Sequence, residues 1–170
     1  MRELVSIKRE RIDRNKIQGF VLDESKDLIL IQYVYDFNLD GLMVLRKDDI
    51  TSLETTDTDK FQTSLLKDEN LIEKINFEHN YVLESWQSFI HSAMKNHEYF
   101  IVEEEEYEEP EFNIGRILNL EEKEFTLRYF TGVARWIEEP VIIKYSDVTC
   151  IQIETNYLNF YQKYFNKNNA

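Results

Sequence analysis

Two distant stretches carry one pattern: DDITSLET at Asp48–Thr55 and SDVTCIQIET at Ser146–Thr155, each followed by an aromatic-bearing helical segment. Self-alignment extends the match. With a shift of 96, Leu4–Gly19 lies on Phe100–Gly115 without a gap, and Leu22 falls on Leu118. Two insertions then carry the shift to 97 and 98, where Leu28 and Leu30 meet Phe125 and Leu127, Val44 and Arg46 meet Ile142 and Lys144, and Asp49, Thr51 and Leu53 meet Asp147, Thr149 and Ile151. A chain written twice must fold as two copies of one small unit, each too short to bury a generous core alone.

The units read as short strands. Phe125, Leu127 and Tyr129 alternate with Thr126 and Arg128, the period of a strand with one buried face. Leu28, Ile29, Leu30 and Ile31 run together, as in a strand covered on both sides. Asp40–Gly41 has the chemistry of a hairpin turn between the apolar runs ending at Tyr35 and beginning at Leu42. Each unit closes on a helix, with Phe61 and Leu65 in the first and Leu158, Tyr161 and Phe165 in the second at helical spacing. Between them, Asn80–Asn96 carries Leu83, Trp86, Ile90, Ala93 and Met94 on one helical face. Small bent sheets closed into barrels leave the fewest open edges. The expected architecture is therefore mainly β with added helices (α+β): a barrel repeat over residues 1–66, a connecting helical segment over 67–98, and a second barrel repeat with a C-terminal helix over 99–170.

The run IQGFVLDESKDLIL, Ile17–Leu30, resembles the first half of the Sm motif, in which an apolar residue and a glycine precede two apolar strands joined by an acidic bend. The longer GFVLDESKDLILIQYVYDFNLDGLMVLRKDDITSLE, with Trp136, Pro140 and Ser146–Thr149 in the second half, is similar to a group of uncharacterised bacterial proteins across nearly the whole chain. The resemblance implies two tandem Sm-like or SH3-like barrels and no particular chemistry. The chain departs from the Sm pattern at Ser25-Lys26-Asp27, which replaces the asparagine expected for uridine contact, and it lacks an Arg-Gly signature after Val44.

Charge and chemistry narrow the function. Twenty basic against 33 acidic residues give a net charge of −13, which repels nucleic acid and anionic membranes and suits either plain solubility, with no particular partner, or a basic protein partner. One cysteine, Cys150, permits no internal disulfide; set in an apolar strand, it reads as a small buried residue rather than a nucleophile. No signal peptide or apolar span is visible, so a cytoplasmic setting is expected. His79, His91 and His97 do not share the three- or four-residue spacing of helical metal ligands, and the four glycines are too scattered for a phosphate loop. No catalytic residue, metal or cofactor is expected.

Two constellations remain. Under the ungapped shift Lys8 and Arg9 fall on Glu104 and Glu105, the start of an acidic run Glu103–Glu106 continued by Tyr107, Glu108, Glu109 and Glu111. Equivalent strands of opposite charge either dock the two units in register or are solvated edges worth little. In LRYFTGVARW, Arg128, Phe130, Arg135 and Trp136 place arginines beside large aromatics, a composition that suits a protein interface or a base-stacking surface. The same aromatics could equally seal a barrel or the contact between units. The expected function is a non-catalytic protein-interaction module, an adaptor or immunity-type inhibitor, with another protein as partner; the alternative is an RNA-binding Sm-like module.

Overall fold

The computed structural model describes residues 3–106 and 108–168. The first repeat contains β1 (Val5–Arg9), β2 (Asp13–Glu24), β3 (Leu28–Tyr35), β4 (Asn38–Arg46), β5 (Ser52–Glu54) and α1 (Asp57–Asp68). A connecting segment carries α2 (Trp86–Ala93). The second repeat contains β6 (Phe100–Glu104), β7 (Glu111–Leu120), β8 (Glu124–Tyr129), β9 (Val141–Lys144), β10 (Cys150–Ile153) and α3 (Asn156–Asn168). The fold is mainly β. The ten strands among the described residues pair antiparallel in one sheet of order β5-β1-β2-β3-β4-β10-β6-β7-β8-β9.

Each repeat contributes five neighbours in the same internal order, and the two sets join where β4 meets β10. The expected pair of closed barrels is not what the ladders show. β4 gives its second edge to the other repeat instead of to its own β5, and the sheet stays open at β5 and β9.

The duplication is visible atom by atom. Gly19 pairs with Tyr33 and Gly115 with Tyr129, and a bulge follows two residues later in both strands. A Cβ on Gly19 would stand 2.6 Å from the Gln32 carbonyl oxygen, and one on Gly115 2.0 Å from that of Arg128, so the same close backbone approach demands glycine twice. The ladders also correct the sequence alignment. Ile7 faces Leu53 as Val102 faces Ile151, which puts Lys8 on Glu103 and Arg9 on Glu104, one residue away from the ungapped match. Ile29 and Ile31, not Leu28 and Leu30, hold the places of Phe125 and Leu127.

Burial explains why β3 is apolar throughout. Ile29 and Ile31 face the first repeat's interior with Val5, Ile7, Met43, Leu45 and Cys150. Leu28 and Leu30 face the other way, onto Leu83, Trp86, Phe89, Ile90 and Ala93 of the connecting segment, in a cluster shared with Phe100, Val102, Phe125 and Leu127 of the second repeat. Each such side chain removed from water contributes about 1.5–3 kcal/mol, so α2 ties the repeats together. The helix is shorter than its sequence pattern: Ser85 caps it by accepting from the Ser88 amide.

Two local expectations change. The β3–β4 turn is Asp36–Phe37, both at positive φ (46° and 63°), as a tight hairpin requires, while Gly41 lies within β4. In α1 the predicted apolar pair Phe61 and Leu65 is exposed, and the helix buries Asp59, Thr63 and Leu66. Polar anchoring decides its orientation. Asp59 closes a capping box with Thr56, accepts from Ser6 Oγ at 2.9 Å and from Gln18 Nε2 at 2.7 Å, and Thr63 Oγ1 accepts from the Leu4 amide at 3.0 Å. No helix among the described residues is long and apolar enough to cross a membrane.

Candidate functional site

The arginine–aromatic patch divides. Phe130 is buried beneath α3, with ring centroids 4.8 Å from Tyr161, 5.0 Å from Phe165 and 5.2 Å from Trp136. Tyr99, Ile101, Ile114 and Leu158 complete this small core. Trp136 is half-buried, and the guanidinium of exposed Arg128 lies 5.2 Å from its ring. Arg135 is exposed, and its amide donates to Thr131 Oγ1. Arg116, not anticipated, lies 4.9 Å from the Tyr99 ring and 5.2 Å from Trp136, donates to Tyr99 Oη at 2.6 Å and pairs with Glu98 at 2.7 Å.

What α3 does not bury is aromatic too. Tyr157, Phe160 and Tyr164 follow one another at helical spacing on its outer side, and Phe112 of β7 meets Tyr157 edge-on at 6.4 Å. These four side chains are between 47% and 73% exposed. The signal stood in the sequence as a second aromatic stripe, masked by the buried stripe Leu158, Tyr161 and Phe165 on the same helix.

The charged constellation lies at the junction of the repeats. Arg9 donates to both oxygens of Glu105, at 2.6 and 2.9 Å, with both side chains largely buried. Glu105 also accepts from Thr149 Oγ1 at 2.6 Å. Arg46 grips Asp49 through two bonds of 2.8 and 2.9 Å and reaches across to Glu106 at 2.6 Å and the Ser146 carbonyl at 2.9 Å. Burial alone would lower the Arg9 pKa, but the bond it donates to Glu105 holds it above the ordinary arginine value. Burial, then repulsion from Glu105, raises Glu103; burial, then Asp147 and Glu111, raises Glu104. Among the described residues neither Lys8, which is exposed, nor Glu104 enters an ion pair. Tyr107 of the acidic run lies outside the described residues; Glu108, Glu109 and Glu111 are exposed.

A polar cleft of about 650 Å³ opens beside the same junction, lined among others by Gln32, His79, Tyr81, His97 and Glu154. Tyr81 Oη and His97 Nε2 are 2.7 Å apart, and Glu154 Oε1 stands 3.5 Å from that nitrogen. Burial, then the charge of Glu154, pushes the Tyr81 phenol up to about 12; burial lowers His97 against the opposing pull of Glu154. Glu154 is held at φ 61°, and Gly41, at φ 74°, leaves room for it: a Cβ there would lie 2.5 Å from the Ile153 oxygen and the Thr155 nitrogen. Among the described residues no three His, Cys, Asp or Glu side chains are placed to hold a metal ion. Buried Cys150 has its thiol pKa pushed well up, chiefly by desolvation, which disfavours the thiolate a nucleophile needs.

Comparison of the chain with protein-family models, with curated proteins and with solved structures finds no match.

Proposed function

We propose that the protein is a non-catalytic interaction module whose two five-stranded halves are Sm-like units, and that its partner is another protein docking on the outer face of α3. The exposed stripe Tyr157, Phe160 and Tyr164 with Phe112 carries this reading. Clustered exposed aromatics are rare on surfaces that meet only water, and tyrosine and its kin dominate the energetic centres of protein interfaces. At the stripe itself the neighbouring charge is basic, Lys163 Nζ lying 5.9 Å from the Phe160 ring, while the molecule's net charge of −13 opposes a polyanion and favours a partner with basic residues around an apolar centre. A cytoplasmic adaptor or immunity-type inhibitor fits this surface. Phe130 and Trp136 support it indirectly, by seating α3.

The test is affinity capture from the native lysate, split into nuclease-treated and untreated halves, with wild type beside a Phe160→Ser/Tyr164→Ser variant of unchanged Tm. A protein retained after nuclease treatment and lost with the variant supports the reading. Recovery that disappears with nuclease promotes the RNA-binding alternative, and undiminished capture by the variant removes α3 from the interface.

A further inference from the structure

We propose that the polar cleft between the first repeat, the connecting segment and the corner from β10 into α3 binds a neutral saccharide, with Glu154, His97, Tyr81 and Gln32 holding its hydroxyls. The cleft shares no residue with the exposed aromatic stripe of α3, so it is a second site and not part of that interface. Its volume of about 650 Å³ is that of a small-molecule site. A further cleft of about 600 Å³ adjoins it through Asn76, Glu78, His79 and Asn80, and the two together have room for linked sugar rings.

The position of Glu154 departs from the repeat. Leu53 and Ile151 hold equivalent places in the two copies, yet the helix cap follows at Thr56 in the first and at Thr155 in the second, one residue later. The extra residue is accommodated at Glu154, whose φ is 61°, whereas none of Leu53, Glu54, Thr55 and Thr56 has a positive φ. A glutamate gains nothing locally from the left-handed region, which favours glycine and asparagine. The strain is retained where it sets a carboxylate in the cleft, 3.5 Å from His97 Nε2.

The lining selects the ligand's chemistry. Among the described residues Leu42 is its one aliphatic apolar side chain, too little surface to hold an apolar molecule. Glu78 and Glu154 oppose an anion, as does the net charge of −13. Lys74 and Lys95, neither of which enters an ion pair among the described residues, oppose a cation. A hydroxyl both donates and accepts, so an uncharged polyol can satisfy carboxylate and ammonium groups together. The floor suits the same ligand. Gln32 directs its Nε2 to the Gly41 carbonyl at 2.7 Å, and its Oε1 has no partner among the described residues, which leaves it to accept from a sugar. Tyr81 Oη and His97 Nε2 meet at 2.7 Å, and burial favours the uncharged form of each.

Titration of the isotope-labelled full chain, followed through its amide chemical shifts, tests this with maltose, cellobiose, lactose and sucrose, and with glucuronate and glucosamine as anionic and cationic controls. At least one neutral disaccharide is expected to shift the amides of His79, Tyr81, His97 and Glu154 with a Kd of about 1 mM or below. Neither charged sugar is expected to bind more tightly. Glu154→Asn, a residue at ease with positive φ, is expected to weaken that binding about ten- to hundredfold, the loss of a hydrogen bond to a charged group, while its Tm stays at or above that of wild type. Absence of shifts at the cleft with every disaccharide, or tighter binding of glucuronate or glucosamine, overturns the saccharide site. Unchanged affinity in Glu154→Asn, or a lowered Tm, overturns the role given to Glu154.

Discussion

Arg9 and Glu105 clasp each other through two hydrogen bonds across 96 positions of sequence, joining the first strand of one repeat to the segment that follows the first strand of the other. At 6% and 14% side-chain exposure the pair is shielded from water, so its value rests on both members being present. Glu105→Ala strands a buried guanidinium and is expected to cost about 3–5 kcal/mol in urea denaturation. Adding Arg9→Met should recover a large part of that loss. Additive losses in the double variant would show that the clasp carries no coupling.

Asp59 supplies an acid-sensitive anchor. Burial by itself would raise its pKa, but bonds from the Thr56 side chain and backbone, Gln18 and Ser6 together hold it below the ordinary aspartate value. A folded-state pKa below the unfolded one gives stability that is present above about pH 4 and lost as pH falls through the folded value. Asp59→Asn is expected to cost about 1–2 kcal/mol at neutral pH, the scale of a lost cap, and to flatten the acid limb of stability measured against pH.

His97 acts in a higher window. Its pKa is lowered, chiefly by burial, so the contribution is complete above about 6.5 and declines as pH drops below that toward the folded value. His97→Gln should therefore narrow the stability difference between neutral and mildly acidic buffer. An unchanged difference would assign that pH dependence to other groups.

Glycine positions separate by backbone demand. Gly41→Ala forces a side chain into the left-handed region against the Ile153–Thr155 backbone and is expected to cost at least about 1 kcal/mol. Gly132→Ala, with nothing within 4 Å of the new carbon, should stay within about 0.5 kcal/mol of wild type. Thermal denaturation of the two variants side by side makes the comparison.

The two aromatic faces of α3 should respond oppositely. Phe165→Ala, which removes the ring packed against Tyr99, Phe130 and Trp136, is expected to cost about 3–5 kcal/mol. Phe160→Ser, on the outer face, should change stability by no more than about 0.5 kcal/mol. A large loss at Phe160 would show that this ring packs against the protein rather than awaiting a partner.

Much of the architecture was legible in the residues. The duplication, the strand-rich composition, the doubly covered run Leu28–Ile31 and the connecting amphipathic segment all follow from local periodicity, which acts on a chain before any tertiary contact forms. The alignment slipped by one residue in β1 and β3 because apolar neighbours such as Leu28 and Ile29 score alike, whereas a one-residue slip in a strand reverses every side chain's face. The α1 stripe misled for a related reason: Phe61 and Leu65 are the apolar choice, yet Asp59 and Thr63 had specific hydrogen-bond partners on β1, β2 and the residue before β1.

The candidate sites were less legible. Phe130 and Trp136 stood out as aromatics, but which rings are covered depends on where α3 lies, and that is settled by packing between elements remote in sequence. Composition and spacing decided that this chain forms two copies of one strand-rich unit with helices between and after them. Only the tertiary structure decided that β4 would pair with β10 instead of closing on its own repeat, because both edges offer the same backbone hydrogen bonds and the choice falls to side chains such as Arg9, Glu105, Val44 and Ile151 that meet only once the whole chain has folded.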